Sequence, residues 1–466
     1  MVNPTASATS SPSPGSASAI AGEGSPRAGD GGGGGLDAMR ARLLARAQQD
    51  LARLRPDLLT GEGEPRLTLV VLTLDRPRHW PLLLCSLREH VRLPIKLLVI
   101  DDNSQPAARA ELRRLCDEIS AAAGHGAIRD LELVYLNERL RCPAARQYAL
   151  RHVTTEYLMF LDDDAEVFPG TLEHLVQELD ADPAVLAAGA HVVLPDGSTQ
   201  FCGGDYWEEP GGVLHFEPLG MALDFEDAAL GPSRACQWLA GAAMAVRRSA
   251  LVREPLDLGM VMYYEDNEWF YRHGLRHPGA VFRRSVEALV LHHQVLKGPK
   301  EESPEEVERS LPYLQSIAHF YRVHGLILEG VFVFAPRLAD DGRRDVAAAR
   351  LLLELLAARG PDWLAREWLQ GGLEPLFQEA RKRNLAAAQA ELAAARAALG
   401  AMEGDLAAAR GELAVLRERS AVMAGQVAEL DAIHRSRLWR LGELYWRLRR
   451  AASGLAGRRP ETRERR

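Results

Sequence analysis

Three consecutive carboxylates follow an apolar run in the stretch FLDDDAE, residues 160–166. Like charges this close raise one another's pKa values and destabilise a fold unless a cation lies among them. On an extended strand end, Asp162 and Asp164 would share one face and Asp163 would take the other. An Asp-x-Asp pair of oxygen donors suits a hard divalent cation, Mn²⁺ or Mg²⁺. The alternative, an N-cap for the helix predicted after Pro169, is disfavoured because the triplet lies too far upstream.

Two other acidic stretches are ambiguous when each is taken alone. VIDDNS (99–104) places Asp102 at a strand end, where it would either bind a base or ribose or close an Asx-turn. MYYEDNEWFYR (262–272) places Glu265 and Asp266 at a helix start, where acids are commonly structural. The functional alternative is a general base within reach of the proton that it removes.

A strand-like segment, SVEALVLHHQ (285–294), ends in two histidines. Strand alternation puts His292 and His293 on opposite faces, so one could complete a metal shell while the other is structural. The sequence does not choose between them.

These candidates depend on elements that alternate along the chain. Apolar, β-branched runs at 67–74, 95–102, 131–137 and 157–164 are separated by helical patterns. Such alternation predicts an α/β fold with βαβ units and a mostly parallel sheet flanked by helices. Ligands bind such sheets at the carboxyl ends of the strands, where both acidic strand ends fall.

Changes in composition and hydrophobic periodicity along the chain predict six segments. They are a disordered segment (1–36), a helical lead-in and linker (37–62), the α/β domain (63–300), a helical extension (301–378), a coiled coil (379–434) and a basic amphipathic tail (435–466). The loop 196–216 is expected to shape an acceptor site.

The coiled coil is predicted from leucines seven residues apart, with mostly apolar residues three positions later. The leucines are Leu385, Leu392, Leu399, Leu406 and Leu413. They indicate a homo-oligomer, and the alternative is one long helix packed on its own domain. In the tail, arginines with Trp439, Tyr445 and Trp446 suit an anionic membrane surface or a packing contact with another subunit.

Composition narrows the class of protein. The 466 residues carry a net charge of −8 that is spread along the chain, which argues against a nucleic-acid binder. Five scattered cysteines without a C-x-x-C pair suggest reduced thiols. We find neither a long apolar stretch nor a secretory signal pattern, so we expect a cytoplasmic protein, with peripheral contact at the inner membrane face as an option.

The order of the stretches is more specific than any one of them. LVVLTLDRP, LLVIDDNS, AARQYAL, YLMFLDDDAE, WLAGAAMAVRRSAL, YYEDNEWFYR and LVLHH together resemble the inverting glycosyltransferases of family 2, which have the GT-A fold. The resemblance covers about residues 66 to 300.

Roles for individual residues follow from the resemblance alone. It implies donor-binding residues at Thr73, Asp75, Asp102, Arg146, Asp162 and Asp163. It implies metal ligands at Asp164, Asp162 and either His292 or His293, with Mn²⁺ or Mg²⁺ as cofactor. It implies Asp266 as general base with Glu265 beside it, and Trp238 and Gly241 by the sugar and acceptor. The segment NERLRCPAARQ departs from the family pattern, because a Gly is missing and Gln147 replaces an Asn.

The implied activity is transfer of a sugar from a nucleotide-diphosphate sugar to a hydroxyl of a glycan, a lipid-linked glycan or a protein. One alternative is a non-catalytic coiled-coil scaffold with a transferase-like domain, against which the intact acids argue. Another is a nucleotidyltransferase, which would want a Gly-rich phosphate loop that LTLDRPRHW lacks.

Overall fold

A computed structural model describes residues 32–122, 126–294, 304–335, 338–340 and 343–455. The chain divides into two compact units, one up to Arg381 and one from Lys382 onwards. The acidic stretches and the two histidines all lie in the first unit.

The strands follow the predicted alternation with the helices. They are β1 (Leu67–Thr73), β2 (Ile95–Asp101), β3 (Ile128–Tyr135), β4 (Tyr157–Asp162), β5 (Ala165–Val167), β6 (Val185–Val193), β7 (Thr199–Phe201), β8 (Gly204–Glu209), β9 (Val213–Pro218), β10 (Arg234–Cys236), β11 (Ala243–Arg247), β12 (Val281–His292), β13 (Ile327–Leu328), β14 (Ala339–Asp340) and β15 (Arg343–Arg344).

The helices lie between these strands and continue to the end of the described chain. They are α1 (Gly32–Asp50), α2 (Trp80–His90), α3 (Pro106–Ala122), α4 (Arg141–Ala149), α5 (Thr171–Ala181), α6 (Arg248–Arg253), α7 (Glu265–Arg276), α8 (Pro304–His324), α9 (Val331–Phe334), α10 (Val346–Arg359), α11 (Pro361–Leu369), α12 (Leu373–Arg435) and α13 (Arg437–Leu455), with short 3-10 turns at Leu51–Arg53, Pro56–Leu59 and Ala228–Leu230.

The main sheet has the strand order β10-β12-β6-β11-β4-β1-β2-β3. Strands β4, β1, β2 and β3 run parallel to one another, β12 runs parallel to β6, and β11 is antiparallel between β4 and β6. The central strands are buried on both faces because helices cover them, which is why they read as continuous apolar runs. The predicted α/β class with a mostly parallel central sheet is confirmed.

A second, three-stranded sheet of β8, β9 and β13 corrects the prediction that 196–216 is a loop. The segment folds as β7 and the β8–β9 hairpin because the apolar residues Val213 and Leu214 pack into a core shared with the helical extension. That extension supplies β13, and its helix α8 buries Leu314, Ile317 and Phe320 in the same core.

The amino-terminal helix also differs from expectation. Residues 32–36, assigned to a disordered segment, lie in the described part of the chain and open α1; residues 1–31 lie outside it. Met39, Leu43 and Ala47 of α1 are buried in a cluster that includes Phe168 and Leu291. This apolar stripe makes α1 part of the folded domain.

The carboxyl-terminal region is helical, as predicted. Helix α12 runs without interruption for 63 residues, and Ser436 caps the start of α13 by accepting a hydrogen bond from the Trp439 amide at 3.2 Å. The heptad leucines 392, 399, 406 and 413 are 48–57% exposed. Within the described residues, the helices lack the combination of length and apolar character that crossing a bilayer requires.

Candidate active site

The register of the parallel strands gathers the chemistry-bearing residues at one edge of the sheet. Thr73 is paired with Asp101, and Leu72 is paired with Asp162. The side chains that follow β1, β2 and β4 therefore meet beyond the carboxyl ends of the strands, as expected for this kind of sheet.

A three-residue cluster of possible cation ligands lies at this edge. One oxygen each from Asp162 and Asp164 and a ring nitrogen of His292 lie within 4.8 Å of one another. The His292 Nε2 atom is 3.0 Å from Asp164 Oδ1 and 3.6 Å from Asp162 Oδ2. The two acids converge through a turn after β4, because the strand ends at Asp162 and does not continue through Asp164.

The second ring nitrogen of His292 is fixed by a glutamine. Nδ1 donates to Gln200 Oε1 at 2.7 Å, and the Gln200 amide donates to Gln294 Oε1 at 2.7 Å. A hydrogen bond of this kind sets the ring orientation and leaves Nε2 facing the two carboxylates. Two carboxylates and an oriented imidazole are a donor set that fits Mn²⁺ or Mg²⁺.

The electrostatics of the cluster favour a cation. Burial opposes charge on Asp164, yet the hydrogen bond and charge of His292 outweigh it and lower the pKa of Asp164 to about 2. Burial likewise opposes charge on His292, but the adjacent carboxylates raise its pKa. The two shifts have one cause, because opposite charges on the carboxylates and the imidazole stabilise each other's ionised forms in a partly desolvated site.

His293 is engaged away from the cation cluster. His293 Nε2 is hydrogen-bonded to Glu166, whose carboxylate also accepts from the Arg40 guanidinium of α1 at 2.6 Å. Of the two histidines, the structure brings His292 to the acids and engages His293 elsewhere, because β12 alternates its faces.

Asp163 is held by Thr73, whose hydroxyl donates to its Oδ2 at 2.6 Å. Burial raises the pKa of Asp163 to about 7. Thr73 also accepts from the Trp80 indole nitrogen at 3.2 Å, so both of its hydrogen bonds are made within the protein.

Arg146 links the cation cluster to the acids at the start of α7. Its guanidinium is buried, donates to Glu265 Oε1 at 2.8 Å and to the Gly241 carbonyl at 2.9 Å, and lies 3.8 Å from Asp162 Oδ1. A Cβ at Gly241 would lie 2.2 Å from the guanidinium, so only glycine permits this approach. Arg146 therefore joins the end of β4 to the start of α7.

Asp266 presents a carboxylate that is held by two backbone amides. Its oxygens accept from Gly241 N at 2.6 Å and Asn267 N at 2.8 Å. Burial, assisted by the charge of Glu265, raises the pKa of Asp266 to about 6. Tyr263 and Tyr264 just before the helix have φ values of 58° and 64°, a strained conformation that is typical of functional sites.

Asp75 and Asp102, which were expected to bind the donor nucleotide, accept hydrogen bonds from backbone amides of neighbouring loops. Asp75 accepts from the Gln105 amide at 2.7 Å. The two oxygens of Asp102 accept from the amides of Leu140 and Arg141 at 2.6 and 2.9 Å. Through these two hydrogen bonds, Asp102 positions the start of α4.

Trp238, which was expected by the sugar and acceptor, is buried. Its ring is 4% exposed, donates from Nε1 to the Asp205 carbonyl at 3.1 Å and packs edge-on against Phe201 and Phe216. A Cβ at Gly204 would lie 2.0 Å from the indole, so glycine at this position leaves room for the ring. Gly241 lies beside Arg146 at the site.

Two residues at this edge were not singled out from the sequence. Gln200 orients His292, and nothing local in the sequence signals this role. Arg76 Nη1 lies 3.1 Å from Asp164 Oδ2 and 3.5 Å from Asp163 Oδ1, with a side chain that is 55% exposed. The position of Arg76 directly after β1 was a usable signal, because every residue there lies at the ligand-binding edge.

Parts of this chain are similar to known proteins. A curated relative, the O-antigen biosynthesis protein RfbC of Myxococcus xanthus, is 28% identical over 165 residues. The match covers 33% of this chain and 12% of that protein.

Among solved structures, the mannosyltransferase PcManGT from Pyrobaculum calidifontis, in complex with GDP-Man and Mn²⁺, is 17% identical with a TM-score of 0.38, covering 75% of this chain and 93% of that one. GalNAc-T7 with UDP, GalNAc and Mn²⁺ is 14% identical with a TM-score of 0.41, and the match covers 66% of this chain and 57% of that one. TarS 1-349 of S. aureus is 14% identical with a TM-score of 0.35, and the match covers 66% of this chain and 92% of that one. Scores of this size support no statement about donor or acceptor.

The match to a family model is confined to the first part of the α/β domain. It includes β1, β2, β4 and the Asp162–Asp164 turn and ends before α7 and β12. Residues 69–210 match the family model described as glycosyl transferase family 2.

Proposed function

We propose that this protein is a metal-dependent, inverting glycosyltransferase that moves a sugar from a nucleotide-diphosphate sugar to a hydroxyl acceptor. The observation that carries the proposal is the shared edge, where the Asp162–Asp164–His292 cluster and the Glu265–Asp266 pair are joined through Arg146. A cation site next to a carboxylate with a raised pKa is the pair of features that this transfer requires.

The cation cluster would hold Mn²⁺ or Mg²⁺ through Asp164, Asp162 and His292. When bound, the ion supplies charge neutralisation for the leaving diphosphate. Arg76 adds a second positive charge beside Asp164, and Thr73, Asp75, Asp102 and Asp163 hold the surrounding loops in place.

Asp266 would act as the general base. A pKa of about 6 leaves it ionised at neutral pH but basic enough to accept a proton from the acceptor hydroxyl. Glu265 and Arg146 would keep it oriented through Gly241, which donates to Asp266 and accepts from Arg146. Attack by the hydroxyl in one displacement inverts the anomeric configuration.

The acceptor class rests on the curated relative. Its role in O-antigen biosynthesis favours a cell-surface glycan or lipid-linked glycan, with a protein acceptor as the further option. The heptads would gather copies of the chain, and the basic helix α13 would bring them to an anionic membrane surface.

A donor-hydrolysis screen tests the proposal. The full chain is incubated with UDP-, GDP- and dTDP-linked sugars, each with Mn²⁺, Mg²⁺ or a chelator. We expect turnover of one donor class that the chelator abolishes and that Asp164→Asn reduces by at least 100-fold. Asp130→Asn, at an exposed carboxylate with 61% side-chain exposure, is the matched control. Absence of both turnover and donor binding would favour the non-catalytic scaffold.

The base assignment has its own test. Asp266→Asn removes the proton acceptor while keeping the size of the side chain, so we expect transfer to fall about 10²–10⁴-fold with donor affinity nearly unchanged. The anomeric configuration of the product, read by NMR, tests inversion. Loss of donor binding in this variant would remove Asp266 from the role of base.

A further inference from the structure

Helix α12 carries an exposed apolar stripe that no other described residue of its own unit covers. Its members are Leu392, Leu399, Met402, Leu406, Leu413, Leu416, Met423, Val427 and Leu430, and each is between 48% and 68% exposed. An apolar stripe of this length, repeated every seven residues, is typical of a coiled-coil seam.

The charges that flank the stripe indicate which partner covers it and in which direction. In a parallel pair, a residue just before the first core position of one heptad faces the residue five positions later on the other copy. The charged residues at these positions give three opposite-charge pairs, formed twice across the pair, and no like-charge pair: Glu391–Arg396, Asp405–Arg410 and Glu412–Arg417.

Antiparallel pairing with full overlap has a different charge pattern. With residues 391–431 fully overlapped, it keeps Glu403–Arg417 and Asp405–Arg419 as attractive contacts. Around the midpoint, however, it brings Arg410 to its own counterpart and Glu412 to its own counterpart. Like charges at such positions oppose association.

The core positions favour two strands in register. Ala395 and Ala409 occupy alternate second core positions, and small residues allow two helices to approach closely. Ser420 replaces a leucine at a first core position, and in register it faces its own copy. One polar core residue is a common device for fixing register, since any shift would set its hydroxyl against an apolar partner.

We propose that residues 391–431 pair with the same segment of a second copy of this chain as a parallel, in-register, two-stranded coiled coil. The pairing is independent of the transfer reaction. It places the two α13 helices at the same end of the rod, where their arginines and aromatic side chains form one doubled surface.

Cysteine crosslinking in the full chain tests the orientation. The background is Cys85→Ser, which removes the exposed native thiol. Leu392→Cys and Leu430→Cys are each added alone, and the two proteins are also mixed. About 57 Å separates these positions along a helix, so each variant crosslinks to itself only if the strands are parallel.

Self-crosslinking of each variant, with no mixed product, supports the proposal. Crosslinking only in the mixture would establish an antiparallel pair and overturn it. Sedimentation equilibrium of the unmodified chain is expected to give twice the 51.2 kDa monomer mass. A monomer or a trimer would also overturn it.

Charge exchange gives a test that does not depend on crosslinking. Arg410→Glu with Arg417→Glu converts the attractive pairs into like-charge pairs, and we expect self-association to weaken about tenfold or more. Adding Asp405→Arg and Glu412→Arg should restore it. The control is Glu418→Lys, which changes a charge on the face away from the coiled-coil seam. It should leave the molecular mass of the assembly unchanged. Failure of the second pair of changes to restore association would contradict the proposed register.

Discussion

At the scale of single residues, similar carboxyl groups at this edge differ because their surroundings differ. The His292 imidazole and Arg76 lower the pKa of Asp164 to about 2, which suits a cation ligand. Burial beside Glu265 raises the pKa of Asp266 to about 6, which suits a base. Environments that push the pKa values of neighbouring acids apart are a recurrent way to assign their roles.

The raised pKa of Asp266 predicts an acid limb in the rate. The ionised form is the base, so activity is present above pH 6 and falls as the pH drops through about 6. The measurement is kcat against pH at saturating Mn²⁺ and donor, with donor affinity followed separately. If the loss at low pH appears in donor affinity and not in kcat, the titrating group belongs to the cation cluster and is not Asp266.

Arg76 predicts opposite effects on two ligands. Its guanidinium lies 3.1 Å from Asp164 Oδ2, so Arg76→Gln should strengthen binding of Mn²⁺ alone by about 3- to 10-fold through loss of charge repulsion. The same change should weaken binding of a nucleoside diphosphate with Mn²⁺, since one cation near the phosphates is lost. Isothermal titration with each ligand measures both effects.

The neighbouring Arg78→Gln is the control for Arg76, because Arg78 is exposed and hydrogen-bonds to His79. A parallel loss of both affinities in Arg76→Gln would indicate that Arg76 is structural.

At the scale of elements, the site depends on close approaches between segments that are distant in the chain. The loop before β11 touches α4 at Gly241, and α7 is oriented by two tyrosines with positive φ. The helical extension contacts the residue that precedes α7, because Gly330 leaves room for the Tyr264 hydroxyl. Helix α1 reaches the opposite face through Arg40 and Glu166.

Gly241→Ala tests the approach of this loop to α4. The added methyl would lie 2.2 Å from the Arg146 guanidinium, so it must displace the Arg146–Glu265 pair. We expect at least a tenfold loss of kcat/KM and a lower free energy of unfolding, by about 1–3 kcal/mol. Chemical denaturation and steady-state kinetics measure the two effects.

Gly279→Ala is the matched control, because nothing lies within 4 Å of a Cβ at that position. Unchanged kinetics in Gly241→Ala would show that Arg146 can move without cost to the site.

At the scale of the whole molecule, α12 and α13 present exposed apolar and basic surfaces that lie outside the α/β domain. Helix α13 carries Arg440, Arg447 and Arg450 on one side and Leu441, Tyr445 and Leu448 on the other, and its aromatic residues are 46–60% exposed. A basic amphipathic helix with aromatic residues is typical of contact with an anionic bilayer surface.

Vesicle sedimentation tests this contact. The full chain should pellet with phosphatidylserine-containing vesicles, less with pure phosphatidylcholine, and less at high salt. Arg440→Gln, Arg447→Gln and Arg450→Gln together should weaken binding by about 1 kcal/mol for each charge removed. The corresponding Arg→Lys variant keeps the charge and should keep the binding. Equal loss in both variants would indicate that the helix packs on protein instead.

The sequence by itself determined the α/β class, the positions of the central strands and the long carboxyl-terminal helix. Local patterns suffice there, because a strand buried on both faces must be apolar throughout and a helix must repeat at its own period. The sequence also placed Asp101, Asp162 and Asp164 near one edge, since parallel strands end together.

Only the tertiary structure decided which side chains reach the open face of that edge. It brought His292 and not His293 to the acids, oriented it through Gln200 and set Arg76 beside Asp164. It also buried Trp238 and turned the segment 196–216 into strands. The contacts of His292 and Arg76 join residues 88 to 128 positions apart in the chain, which no local pattern encodes.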